Sequence, residues 1–105
     1  MAVALEKRIQ EVLNQEDIEG LLALGAPRDE YEGEAEHIGL AIRKLVCDRP
    51  GAGAPIDAVK GIINATWRER FGPFSEEDLT RREPALERVA TRIAALSLGL
   101  GTACE

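Results

Sequence analysis

Apolar residues recur at intervals of three and four along most of this chain, and this spacing restricts the fold more than any other feature. The clearest stripe has spacings of four, three, four and three and consists of Tyr31, Ala35, Ile38, Ile42 and Leu45. Such spacing places side chains on one face of an α-helix. No segment alternates apolar and polar residues between turn signals, which is the pattern typical of strands. The sequence therefore predicts an all-α fold.

Turn signals divide the stripes into four helices. The expected helices span about 3–14, from 29 or 30 to 47, 56–71, and from about 84 onward. Gly72-Pro73 ends the third helix, and because Pro84 is unfavourable deep inside a helix, we expect only a short turn at 75–80 before the last one. Short connections between amphipathic helices predict a compact antiparallel four-helix bundle.

Two further segments complete this organisation. Between the first and second helices we expect a short extra turn rich in leucine, capped by Asp17. Residues 97–105, with Gly99 and Gly101, are predicted to form a frayed tail. The 105 residues are too few for two hydrophobic cores, so residues 1–105 should form one helical domain.

Composition restricts location and partners. No apolar run approaches the ~20 residues of a membrane span, and the N-terminus lacks the pattern of a secretory signal. Cys47 and Cys104 are too few for a disulfide framework or a zinc site. One could bond the other, but we expect two incidental thiols in a cytoplasmic protein. The net charge of −6 argues against nucleic-acid binding and favours a basic protein partner.

The segment 25–38 concentrates the polar chemistry of the chain. It holds five acids, the only tyrosine and the only histidine. Asp29, Glu30 and Glu32 are explained by a helix start, since Asp29 and Glu32 fit a capping box and the helix dipole favours early carboxylates. Gly33, however, costs roughly 1 kcal/mol relative to alanine inside a helix.

Two carboxylate pairs also oppose a purely structural explanation. Glu30 and Glu34 are four residues apart, as are Glu32 and Glu36, so both pairs repel on a helix. This excess of negative charge predicts a surface that binds something positive. We place that surface at Asp29, Glu30, Tyr31 and Glu34, with the purely structural explanation held equally open.

A metal site is the alternative for the same segment. Glu34 and His37 are three residues apart, as in carboxylate-bridged di-iron sites, and Glu30 lies one turn earlier. Such a site needs a second histidine, which only a symmetric dimer would supply. We therefore expect no cofactor in the monomer, and the chain is predicted to be a monomer or a homodimer.

Signatures of enzymes are weak in this sequence. Ser75 and Ser97, the only serines, lie in no nucleophile motif, and Cys47 is interpreted as a packed thiol. The arginines near Trp67 and in the last helix alternate with acids, which is typical of a solvated face. The expected protein is not an enzyme.

Residues 21–34, from Leu21-Leu22-Ala23-Leu24 through Gly25-Ala26-Pro27-Arg28-Asp29-Glu30-Tyr31, resemble a motif of a domain-of-unknown-function family. Its members are short all-helical bacterial proteins with a Gly-Ala-Pro-x-Asp-Glu-Tyr motif. The resemblance covers about 25 residues and implies a small, soluble, helical cytoplasmic protein without a known activity. Related sequences look like proposed immunity proteins that neutralise bacterial toxins.

These observations predict a non-enzymatic protein-binding module. An inhibitor of the immunity or antitoxin type is its most concrete form. The alternative function is a dimeric metal-binding carboxylate protein that uses Glu30, Glu34 and His37.

Overall fold

The structure, a computed structural model, describes residues 5–27, 29–48 and 54–97. Helices account for the regular structure in these ranges, and no strand occurs in them. The four helices are α1 (Leu5–Glu16), α2 (Glu32–Asp48), α3 (Ile56–Phe71) and α4 (Glu76–Ser97). The all-α prediction is confirmed. None of these helices is long and apolar enough to cross a membrane.

The helices form a four-membered ring in which each packs against two neighbours. α1 and α3 both contact α2 and α4. Glu6 at the start of α1 pairs with Arg43 near the end of α2, 2.9 Å apart. Ala54, just before α3, donates its N–H to the Ser97 hydroxyl at the end of α4 over 2.9 Å. These contacts place the start of one helix beside the end of the next, so the predicted antiparallel bundle is confirmed.

A single apolar core fills the ring. The predicted stripes supply most of it, since residues such as Ile9, Ile38 and Ile63 are completely buried. The aromatic side chains gather at one end, where Trp67 packs against Tyr31 at 6.0 Å and against Phe71 at 5.0 Å between ring centroids. Because aromatics make up only 4% of the chain, the rest of the core is aliphatic.

The start of α2 differs from the prediction. The helix begins at Glu32, so Asp29 and Glu30 lie in a preceding turn, and the predicted capping box of Asp29 and Glu32 is wrong. Instead, the Glu32 N–H donates to the backbone carbonyl of Asp29 over 3.0 Å. Glu32 and Glu34 are the acids of the first helical turn.

The last helix is also longer than predicted. α4 runs without interruption from Glu76 to Ser97 and includes Pro84, so the expected break there is wrong. Ser75 and Asp78 form a reciprocal capping box, in which the Asp78 N–H donates to the Ser75 hydroxyl over 3.1 Å. Pro84 and Thr80 are exposed. Water can therefore hydrate the Thr80 carbonyl, which lacks its usual N–H donor from residue 84.

Two smaller predictions concern the ends of α2 and α4. Cys47 is disulfide-bonded, so the expected free thiol is wrong; the other cysteine, Cys104, lies outside the described residues. Ser97 is the buried last residue of α4 and does not belong to a tail. The rest of the predicted tail, 98–105, and the predicted start of α1 near residue 3 also lie outside the described ranges.

Candidate partner-binding surface

The connection between α1 and α2 is an ordered loop at the aromatic end of the bundle. Asp17 begins it with a left-handed backbone, φ 43°, and Gly20 and Gly25 also have positive φ. Backbone hydrogen bonds then fold the segment on itself, among them Gly20 N–H to Asp17 C=O at 2.8 Å and Ala26 N–H to Leu21 C=O at 3.0 Å. This is the predicted extra turn.

The carboxylate of Asp17 holds this loop together. It accepts hydrogen bonds from the N–H groups of Leu22, at 3.1 Å, and Ala23, at 3.0 Å, which confirms its predicted role as a cap. It also accepts a 2.7 Å hydrogen bond from the Tyr31 hydroxyl. Burial alone would raise the pKa of Asp17, but these hydrogen bonds outweigh it and lower the pKa below its usual range.

The carboxylate of Glu19 fastens the same loop to α3 and α4. Arg82 donates to both of its oxygens, at 2.7 and 2.8 Å, and the Trp67 indole N–H donates over 2.8 Å. The Arg82 hydrogen bonds lower the pKa of Glu19 despite its burial. The Arg82 guanidinium also lies 4.5 Å from the ring centroid of Phe74, a cation–π geometry. The loop therefore has a fixed position on the bundle.

Tyr31 provides a direct test of this arrangement. Burial and the neighbouring Asp17 carboxylate raise the pKa of its phenol above the ordinary value of 10.0. The fold therefore favours the neutral phenol, and its stability contribution is complete below pH 10 and is lost as the pH rises further. We expect phenolate absorbance to appear only as the helical circular-dichroism signal disappears. The signal is unambiguous because the chain has one tyrosine; phenolate formation near pH 10 in a fully helical protein would contradict the arrangement.

The four residues predicted for partner binding are divided between surface and interior. Asp29 and Glu30 are exposed in the turn before α2. Tyr31 is completely buried, and Glu34 is only 7% exposed. The structure therefore brings Asp29 and Glu30 together on the surface, while Tyr31 belongs to the aromatic core.

Further acids extend the exposed part of this region. Glu32 and Glu36 are exposed on α2. We call Asp29, Glu30, Glu32 and Glu36 the acidic surface. No described residue forms an ion pair with any of the four, although seven ion pairs occur elsewhere in the described ranges. Arg82 is engaged by Glu19, and Arg81 by Asp78 at 2.6 Å. The guanidinium of Arg70 lies over Gly33, with its Nη1 atom 3.6 Å from the position that a Cβ there would occupy, but it forms no ion pair with a described carboxylate.

The leucine-rich loop beside the acidic surface also exposes an apolar side chain. Leu24 is 85% exposed, whereas Leu21 and Leu22 pack partly against the core. Its backbone is fixed, because the Leu24 N–H donates to the carbonyls of Gly20 and Leu21 at 3.2 and 3.1 Å. A rigidly presented leucine close in sequence to unpaired carboxylates is compatible with a contact surface for a protein.

The metal alternative gains no support from a single chain. Among the described residues, no group of three or more His, Cys, Asp and Glu side chains could hold a metal ion. Glu30 and His37 are exposed and Glu34 is buried. The alternative always required a symmetric dimer, so it stays a prediction that the monomer does not test.

The fold and this surface together describe a small four-helix protein with an exposed acidic patch beside an ordered leucine-rich loop. No protein-family model, curated protein or solved structure matches the chain. The resemblance to the family with the Gly-Ala-Pro-x-Asp-Glu-Tyr motif therefore stays a prediction.

Proposed function

We propose that this protein is a non-enzymatic binding module whose acidic surface contacts a basic protein partner. One observation carries the proposal: residues 29–36 contain five carboxylates and no base, and no described residue forms an ion pair with them. That local charge is nearly as large as the net charge of −6 for the whole chain.

Electrostatics and rigidity both suit such a role. Unpaired surface carboxylates attract a basic partner over roughly a Debye length, about 8 Å at physiological salt, and this attraction raises the association rate. The loop anchored by Asp17 and Glu19 loses little conformational entropy on binding, since it is already ordered.

An immunity-type inhibitor is the most concrete form of this proposal. Small acidic proteins of that kind block a nuclease by presenting carboxylates where the enzyme would bind phosphates. A cytoplasmic location belongs to the same proposal. The disulfide bond of Cys47 is the observation that opposes that location, because disulfides are rare in cytosolic proteins.

Reversing the charge of the acidic surface tests the proposal. In the double variant Asp29→Lys with Glu30→Lys, both lysines are exposed and precede α2, so neither enters the first helical turn. We expect affinity for the partner to fall at least about tenfold and its salt dependence to diminish. Affinity capture with the wild-type protein, followed by titration of the captured protein against each variant, measures both effects.

A matched control separates a local contact from the effect of net charge. Glu11→Lys with Glu87→Lys changes the net charge by the same amount at exposed positions on α1 and α4, away from the acidic surface. We expect this control to bind like the wild type. Full affinity of the partner for the Asp29, Glu30 variant would refute the proposal. An equal loss of affinity for the control variant would also refute it.

A further inference from the structure

Cys47 forms a disulfide bond at the end of α2. It is the last residue but one of that helix, and its side chain is half-buried. The chain has two cysteines, Cys47 and Cys104. Within one chain the partner of Cys47 is therefore Cys104, which lies outside the described residues. A bond between them ties the C-terminal segment of the chain to the end of α2.

The arrangement of the helices leaves enough chain for this bond. The Ala54 N–H, just before α3, donates to the Ser97 hydroxyl at the end of α4 over 2.9 Å. Because α3 is antiparallel to both α2 and α4, the last residues of α2 and α4 lie at the same end of the bundle. Packed helices are about 8–10 Å apart, so the diagonal of the ring is about 14 Å. Residues 98–104 can span up to about 24 Å, which is enough to bring Cys104 to Cys47.

We propose that Cys47 and Cys104 form a redox-sensitive cross-link, which stabilises the bundle when oxidised and opens in the folded protein when a thiol reductant is present. The closed loop, residues 47–104, contains all of α3 and α4. Cross-linking so long a loop stabilises a fold mainly by restricting the unfolded chain. Reduction therefore lowers the stability of the bundle while the described helices keep their packing. This inference goes beyond the proposed function and does not depend on it.

The position of Cys47 suits thiol–disulfide exchange. A half-buried sulfur is open to a small thiol in the folded state, and exchange requires such access. One thiolate of a dithiol reductant attacks a sulfur of the bond, and the other cysteine leaves as a thiolate and takes a proton. The second thiol of the reductant then releases the first cysteine, so two electrons pass to the protein and the reductant becomes a cyclic disulfide.

Reversibility also bears on location. Disulfides of cytosolic proteins, where they occur, are usually transient and often sense the redox state. A cross-link that opens under reducing conditions is therefore compatible with the proposed cytoplasmic location, whereas a permanent one opposes it.

The cross-link and the acidic surface lie at opposite ends of α2. Glu32 is the first residue of the helix and Cys47 the last but one, so they are about 22 Å apart along its axis at 1.5 Å per residue. Reduction should therefore lower the Tm without weakening the binding of a basic partner at a temperature where the reduced protein is folded. The two proposals consequently fail on different measurements.

Peptide mapping of the air-oxidised protein identifies the bond. After alkylation, trypsin cleaves after Lys44, Lys60 and Arg92, and Pro50 blocks cleavage after Arg49, so the bond should join peptides 45–60 and 93–105. Dithiothreitol added to the folded protein without denaturant should abolish this linked pair. Two linked copies of peptide 45–60, no linkage at all, or a bond that resists dithiothreitol until the protein is denatured would overturn the inference.

Thermal unfolding measures the effect on stability. Dithiothreitol should lower the Tm of the wild type by about 10 °C or more. Cys104→Ser should have the Tm of the reduced wild type with or without dithiothreitol, whereas the matched control Thr102→Ser, in the same segment, should respond like the wild type. Equal Tm values for the oxidised and reduced wild type would overturn the inference, and this comparison requires no variant.

Discussion

Trp67→Ala is expected to lower the free energy of unfolding by about 4 kcal/mol, as for other large-to-small substitutions in a core. Trp67 is completely buried and is the largest side chain of the core. Its ring packs between Tyr31 and Phe71. Its removal also deprives Glu19 of the indole N–H. Urea denaturation followed by far-ultraviolet circular dichroism measures the loss.

Trp67→Phe separates the two contributions to this loss. It keeps most of the aromatic packing and removes the N–H that donates to Glu19 over 2.8 Å. We expect it to cost about 2 kcal/mol, from the lost hydrogen bond and a small cavity. If the alanine variant lost less than about 2 kcal/mol, the loss expected for the phenylalanine variant, the packing of the aromatic cluster would not stabilise the fold as described.

Asp17→Ala is expected to cost about 3 kcal/mol, because it removes three hydrogen bonds to a carboxylate and leaves alanine in a left-handed conformation. The lost donors are the N–H groups of Leu22 and Ala23 and the Tyr31 hydroxyl. The loop should then detach from α2, with faster amide exchange at Leu22 and Ala23 as the local measure.

Asp17→Asn is the control for this prediction. Asparagine keeps an acceptor oxygen and adopts positive φ more readily than alanine, so it should lose about half as much stability. Unchanged exchange at Leu22 and Ala23 in the alanine variant would show that the carboxylate does not hold the loop.

The stability lost in Asp17→Ala should depend on pH, because the pKa of Asp17 is lowered in the folded protein. Its contribution to stability is present above the unfolded value of 3.8 and is lost as the pH falls through the lower folded value. Wild type and Asp17→Ala should therefore differ most near neutral pH and converge in acid. Glu19→Gln should behave similarly, since the pKa of Glu19 is also lowered from 4.5.

The sequence predicted those parts of the fold that depend on nearby residues. α3 has the predicted bounds, Ile56–Phe71. Pro55 directly precedes its apolar stripe and Gly72-Pro73 directly follows it, so both ends are marked by neighbouring residues. In α4 the local signal is misleading, because Pro84 predicts a break and the helix continues through it. The helix continues through it because the side chain is exposed and because Ser75 and Asp78 cap the helix start, while Arg82 binds Glu19 in a distant loop.

The polar contacts of the loop could not be predicted in the same way. Tyr31 binds Asp17 across 14 residues, and Arg82 binds Glu19 across 63, so no spacing rule relates the partners. The exposure of Asp29 and Glu30 agreed with the expected surface. The apolar spacing predicts a buried Tyr31, and the acidic segment predicts an exposed one; Tyr31 is buried, so the apolar stripe determines its position.

The aromatic end of the bundle gives the protein an intrinsic fluorescent reporter. Trp67 and Tyr31 are the only residues of their kinds, and their rings lie 6.0 Å apart, close enough for excitation of the tyrosine to transfer efficiently to the indole. Each ring is hydrogen-bonded to an acid of the loop that precedes α2. A partner that displaces this loop would therefore change both the emission wavelength and the transfer, without any added label.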